Sequence, residues 1–155
     1  MSGDRSRALR AILLGGLIAG TLDISYACIF SYIRRGTSPV RILQSVASGA
    51  VGRSAFDGGA KTAALGLVFH FLIATTAAAV YYLASRYLRF LVNQAIICGP
   101  LYGVCIYLVM NLVVLPLSAI GSRQALPLPV LISGLLVHMF GIGLPIALVV
   151  RRYSR

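Results

Sequence analysis

Cations divide this chain into long stretches that carry none. Residues 11–33, between Arg10 and Arg34, form 23 positions without Lys or Arg. Lys61 and Arg86 bound 62–85 in the same way. Arg89 and Arg123 bound a longer stretch, in which Pro116 is expected to end the helix. Arg151 and Arg152 close the last run. A helix needs about 20 apolar residues to cross the hydrocarbon core, so the expected spans are about 11–33, 62–85, 92–116 and 130–150. Composition agrees. Hydrophobic residues make up 59% and charged residues 11%, against roughly 45–50% and 25% in soluble domains. A soluble fold of this length cannot hide so much apolar surface.

The expected fold class is an all-α membrane protein, one domain over 1–155. Four transmembrane helices joined by short connections predict an antiparallel bundle. The first run exceeds the usual h-region and lacks a clean small-residue cleavage site, so it reads as a retained span and not a signal peptide.

One segment breaks the pattern. Ser38 and Pro39 form a good helix start, and Ile42, Leu43, Val46, Ala47 and Ala50 follow at helical spacing. Arg41, Gln44, Ser45, Ser48 and Arg53 fill much of the remainder. This stretch, about 39–53, is too polar to span lipid. It predicts an interfacial amphipathic helix between spans one and two. Gly58 and Gly59 provide the turn that follows.

A short repeat links the two halves. Residues 11–19, AILLGGLIA, align with 95–103, AIICGPLYG; residues 66–70, GLVFH, align with 134–138, GLLVH. Spans one and two would then correspond to three and four, about an axis along the membrane normal. Gly16 and Gly20, like Gly99 and Gly103, have the small-x3-small spacing that permits close helix approach, inside one chain or between two.

Charge sets the partner class. The chain has 14 Lys and Arg against 3 Asp and Glu. They stand at the edges of apolar runs, which fits lipid headgroups and excludes nucleic acid as the partner. With the N-terminus inside, Arg5, Arg7, Arg10, Arg86, Arg89, Arg151, Arg152 and Arg155 lie on the inner side. Arg34, Arg35, Arg41, Arg53, Lys61 and Arg123 lie outside. The bias favours both termini in the cytoplasm. Tyr26, Tyr32, Tyr81, Tyr82, Tyr87 and Tyr153 read as interface anchors. Cys28, Cys98 and Cys105 have no paired spacing and predict no disulfide framework or zinc site.

Several motifs occur together in order: GLIAGTLD (16–23), ILQSVASG (42–49), AFDGGA (55–60), LGLVFHF (65–71) and LYGVCIYLVMNLVVLPLS (101–118). In these the chain resembles a family of small bacterial inner-membrane proteins with four helices, to which no activity is assigned. The resemblance covers roughly residues 11–118. It implies a multi-pass protein of the bacterial plasma membrane and no catalytic residues.

Polar side chains inside spans are costly and mark functional sites. Each span offers one: Asp23, His70, Asn111 and His138. Counted from the outer helix ends, Asp23 lies about 16 Å deep and each histidine about 14 Å; Asn111 is somewhat shallower. If all four face inward they form one buried polar cluster. That cluster reads in three ways. It could be a hydrogen-bonded plug that fixes helix packing. It could be a site where Asp23 and a histidine pass a proton or hold a small polar solute. It could be a b-type haem site with His70 and His138 as axial ligands. No metal-ligand motif and no catalytic Ser-His-Asp order or carboxylate pair is present. The function classes are therefore a solute- or proton-binding bundle, or accessory subunit of a larger complex; a haem electron-transfer protein; and a structural membrane protein. No cofactor beyond that haem is expected. A bundle this small would need a homo-oligomer or larger complex to act as a transporter.

Overall fold

Each cation-free run becomes one long helix in the computed structural model, which describes residues 2–121 and 127–154. The long helices are α1 (Ser2–Arg35), α3 (Gly59–Tyr87), α5 (Ala95–Leu117) and α6 (Leu128–Tyr153), with the shorter α2 (Pro39–Val51) and α4 (Phe90–Asn93) between them. The four long helices are long and apolar enough to cross a membrane. No strand occurs among the described residues.

Local chemistry explains the boundaries. Asp4 stands in the first turn of α1 and Arg34 and Arg35 in its last, each complementing the helix dipole. Gly36, at φ 64°, ends α1: its amide donates to the Tyr32 carbonyl and the Thr37 amide to that of Ser31. Ser38 then caps α2, its Oγ accepting from the Arg41 amide at 3.3 Å, with Pro39 in the first turn. A tight 3₁₀ turn over Gly52–Asp57 follows, and Gly59, at φ 57°, opens α3.

Every span boundary shifts by a residue or more from the one read in the sequence, and three differences have a local cause. The helix expected over 39–53 stops at Val51, because Gly52 takes φ 74°. The third run starts at 95, since the chain breaks at Gln94 after the short α4. The first helix begins nine residues before position 11, its polar N-terminal turns continuing the apolar run. Arg123 and Arg155 lie outside the described residues.

The helices meet through small residues. Gly16 of α1 lies against the backbone of Thr75, and Gly20 against Phe71 and Ala74. Gly99 of α5 meets Leu144 and Ala147, while Gly103 meets the backbone of His138 and Met139. Both glycine pairs therefore pack within the chain. Around them the core gathers at one end of the bundle: Ala11, Ala78, Tyr81, Ala95, Ile146 and Val150. Tyr81 and Tyr82 are buried there, not at the surface as the sequence suggested. Tyr81 donates to the Leu91 carbonyl at 2.9 Å and Tyr102 to that of Ala77 at 2.8 Å, so each hydroxyl has a partner where water is excluded. Tyr26 also departs from the anchor reading, with its hydroxyl buried, whereas Tyr87 is 88% exposed.

The helix α2 is amphipathic, as its spacing implied, but polar residues share its buried face. It packs flat on α3, with Gly66 directly beneath the Leu43 carbonyl. Gln44 and Ser48, read as polar-face residues, are buried against α3, while Ala50 is exposed. Gln44 Nε2 donates to the Gly59 carbonyl at 3.1 Å, and Ser48 Oγ to that of Ser45 at 2.7 Å. At its far end the Gly49 carbonyl accepts from the Ala119 amide, tying α2 to the segment after α5.

The glycine contacts give a test. A methyl group at Gly66 would overlap the Leu43 carbonyl, whereas at Gly15 it would lie 3.4 Å from the Ala78 methyl, an ordinary contact. Gly66→Ala should destabilise by about 1–3 kcal/mol, and Gly15→Ala by less than about 0.5 kcal/mol. Unfolding by sodium dodecyl sulfate in mixed micelles measures both. Equal effects would contradict the close approach of α2 and α3.

Candidate functional site

The four polar residues sit on the buried stripes of their helices. In α1 the stripe runs Ala11, Gly15, Ala19, Asp23. In α3 it runs Gly66, His70, Ala74, Ala78. In α5 it runs Gly99, Gly103, Tyr107, Asn111, and in α6 Gly134, His138, Ile142, Ile146. A four-residue step keeps one helix face inward. Each polar residue thus continues the line of small or apolar residues that packs the helix.

All four line a single cavity of about 320 Å³ in the half of the bundle away from the core. Its walls are otherwise mostly apolar, including Ile73, Ile106 and Met110, and Val46 brings α2 to its edge. Asp23, His70, Asn111 and His138 are half-buried. Among the described residues Asp23 makes no direct hydrogen bond or ion pair with the other three. The structure therefore brings the four together around a space, not into direct contact.

Backbone carbonyls fix both histidines. His70 Nε2 lies 2.8 Å from the Gly20 carbonyl oxygen on α1. His138 Nδ1 lies 2.8 Å from the Gly134 carbonyl on its own helix. A carbonyl only accepts, so these nitrogens carry the protons. His70 then presents Nδ1 and His138 presents Nε2 as acceptors, each a candidate base or ligand atom. Asn111 behaves in parallel, donating from Nδ2 to the Tyr107 carbonyl at 2.8 Å.

Irregular turns place two of these side chains. The helix widens to π-type turns over Met110–Val114 in α5 and His138–Gly143 in α6. Pro116 and Pro145 each follow two residues after the widened turn. A proline in a helix clashes with the carbonyl four residues earlier, here Leu112 and Gly141. Widening the turn relieves that clash, and π-turns recur at functional sites. Asn111 and His138 stand in these turns.

The sequence reading missed Tyr107 and the Gly20 carbonyl. Tyr107 is buried, its ring edge-on to His138 at 5.2 Å between centroids. Its four-residue spacing from Gly103 and Asn111 was the available signal. Among the described residues no group of three or more His, Cys, Asp or Glu side chains converges on a metal position. A haem iron between the histidines would meet His70 through Nδ1, or would require the bond to Gly20 to break.

No family model, curated protein or solved structure matches this chain.

The tautomers are directly testable. ¹⁵N spectra of the imidazole rings should show His70 protonated at Nε2 and His138 at Nδ1 when both are neutral. The reverse assignment at either ring would contradict the carbonyl contacts.

Proposed function

We propose that this chain is a multi-pass protein of the bacterial plasma membrane, of the small four-helix kind it resembles, whose cavity binds and passes protons. Its four spans run antiparallel, with both termini in the cytoplasm. The order of the contacts supports that arrangement: Gly16 and Gly20 meet Thr75 and Phe71, so one helix ascends as the other descends. The outer surface supports insertion. Leu13, Leu17, Val68, Leu72, Leu101 and Leu108 are exposed large apolar side chains, an arrangement that water penalises and lipid accepts.

One observation carries the functional reading. A carboxylate and two imidazoles from three helices line one cavity, and each imidazole keeps one nitrogen free while a carbonyl holds the other. A purely structural plug would join these groups to one another. Here Asp23 is separated from the histidines by a space with room for water or a small solute. A proton can then move from Asp23 to a free imidazole nitrogen through the cavity contents. Four helices leave little space for two gates, so a second copy or a larger membrane complex would supply the other one.

The test is proton flux in proteoliposomes holding a potassium-driven potential and an internal pH dye. The wild type should dissipate the gradient roughly a hundredfold faster than Asp23→Asn, the lower end of the scale on which removing one proton-transfer group acts. The variant keeps the shape and hydrogen-bonding capacity of Asp23. Equal fluxes in folded wild type and variant would contradict proton passage.

The cavity volume favours a second reading. About 320 Å³ is at the lower end of small-molecule sites, so the same groups suit a small polar solute. That reading expects equal proton fluxes and a solute-induced rise in melting temperature that Asp23→Asn abolishes.

A further inference from the structure

A second cavity, separate from the polar cluster, lies where α1 ends, α2 begins and α6 starts. Its volume is about 530 Å³. Arg34, Arg35 and Arg41 line it, with hydroxyls from Ser31, Thr37 and Ser45. No Asp or Glu lines it, and none of the three arginines has a carboxylate partner among the described residues. Three permanent charges converge on one space without a counter-charge among the described residues.

Two of the three guanidinium groups are held in place. The Arg41 carbon lies 4.2 Å from the centroid of the Phe56 ring, and Arg41 also donates to the Phe56 carbonyl at 3.5 Å. The Arg34 carbon lies 5.4 Å from the Phe30 centroid. Stacking on an aromatic face uses the flat side of the guanidinium and leaves its edge donors available. Those donors match the oxygens of a phosphate. The cavity has an apolar side as well, from Phe30, Ile42 and Val130.

We infer that this cavity binds the phosphate of an anionic phospholipid, with Arg34, Arg35 and Arg41 around the headgroup and the acyl chains over Phe30, Ile42 and Val130. Its position supports a lipid source. Arg34 and Arg35 form the last turn of α1 and Val130 lies in the first turn of α6, the depth at which a spanning helix meets headgroups. Charge selects the headgroup class. A phosphatidylcholine carries its own cation, and this cavity offers no carboxylate to receive it. A phosphatidylglycerol has a single negative charge and a hydroxylated head that the serine and threonine hydroxyls can bind. Basic pockets between helices are a common form of such recognition.

The experiment is native mass spectrometry of the full chain released from micelles containing equal phosphatidylglycerol and phosphatidylcholine. One phosphatidylglycerol should remain bound in preference to phosphatidylcholine. The triple variant Arg34→Gln, Arg35→Gln, Arg41→Gln should weaken that retention by roughly a hundredfold, from three cations acting near the surface. Arg5→Gln, Arg7→Gln, Arg10→Gln removes the same charge elsewhere and should leave retention unchanged. All six side chains are exposed, so both variants should fold, which circular dichroism checks. Equal retention of the two lipids, or equal losses in the two variants, would overturn the inference. A third arm adds inorganic phosphate. If phosphate alone binds with the same arginine dependence and displaces the lipid at equal concentration, the site takes free phosphate and the lipid assignment is wrong.

Discussion

Where α5 and α6 cross, at Gly99, Gly103 and Gly143, no side chain separates the two backbones. Gly16 allows a similar approach of α1 to α3, and Gly20 makes room there for the Phe71 ring. Between helices in lipid there is no hydrophobic drive, and on the membrane reading close packing of this kind supplies most of their association. The rest of the architecture depends on where these contacts fall. They hold the bundle tightly at the end containing Tyr81, Ile146 and Val150. Beyond them α3 and α5 face each other across a groove lined by Phe69, Ile73, Met110 and Leu115. Tight packing at one end and larger side chains at the other leave the cavity between.

That cavity could have been filled by apolar side chains. Instead each helix contributes a group whose burial is costly without a partner. Backbone carbonyls meet part of the cost: Gly20 and Gly134 accept from the histidines, and Tyr107 accepts from Asn111. Asn111 and His138 stand in the widened turns ahead of Pro116 and Pro145, and each bonds the carbonyl four residues earlier. Asp23 alone has no such bond. It is the group whose state depends on what occupies the cavity, and the proton-passing reading rests on it.

Much of the fold was legible because charge in a span is so expensive. The cations alone marked four long helices, and Ser38, Pro39, Gly58 and Gly59 marked the segment between the first two. Matched depth singled out Asp23, His70, Asn111 and His138, which line one cavity. What depth could not give was facing. The four-residue steps from Ala19 to Asp23, Gly66 to His70, Tyr107 to Asn111 and Gly134 to His138 carry that information. The face of α2 was misread because polarity stood in for exposure. Gln44 is 4% exposed since it reaches a backbone carbonyl, a partner that sequence does not display. Tyr81 misled for the same reason, its hydroxyl reaching the Leu91 carbonyl. The short repeat captured the two histidines, yet their partners differ: His70 bonds across to α1 and His138 bonds to its own helix.

On the proposed reading the bundle is dry and packed at one end and accessible to water at the other. Water-edited solid-state NMR on the protein in bilayers tests it directly, by timing polarisation transfer from water to individual rings. The account predicts that the His70 and His138 rings receive water polarisation nearly as fast as exposed Tyr87, while buried Tyr81 lags far behind. Transfer to both histidines as slow as to Tyr81 would mean that the cavity excludes water, and would contradict the account.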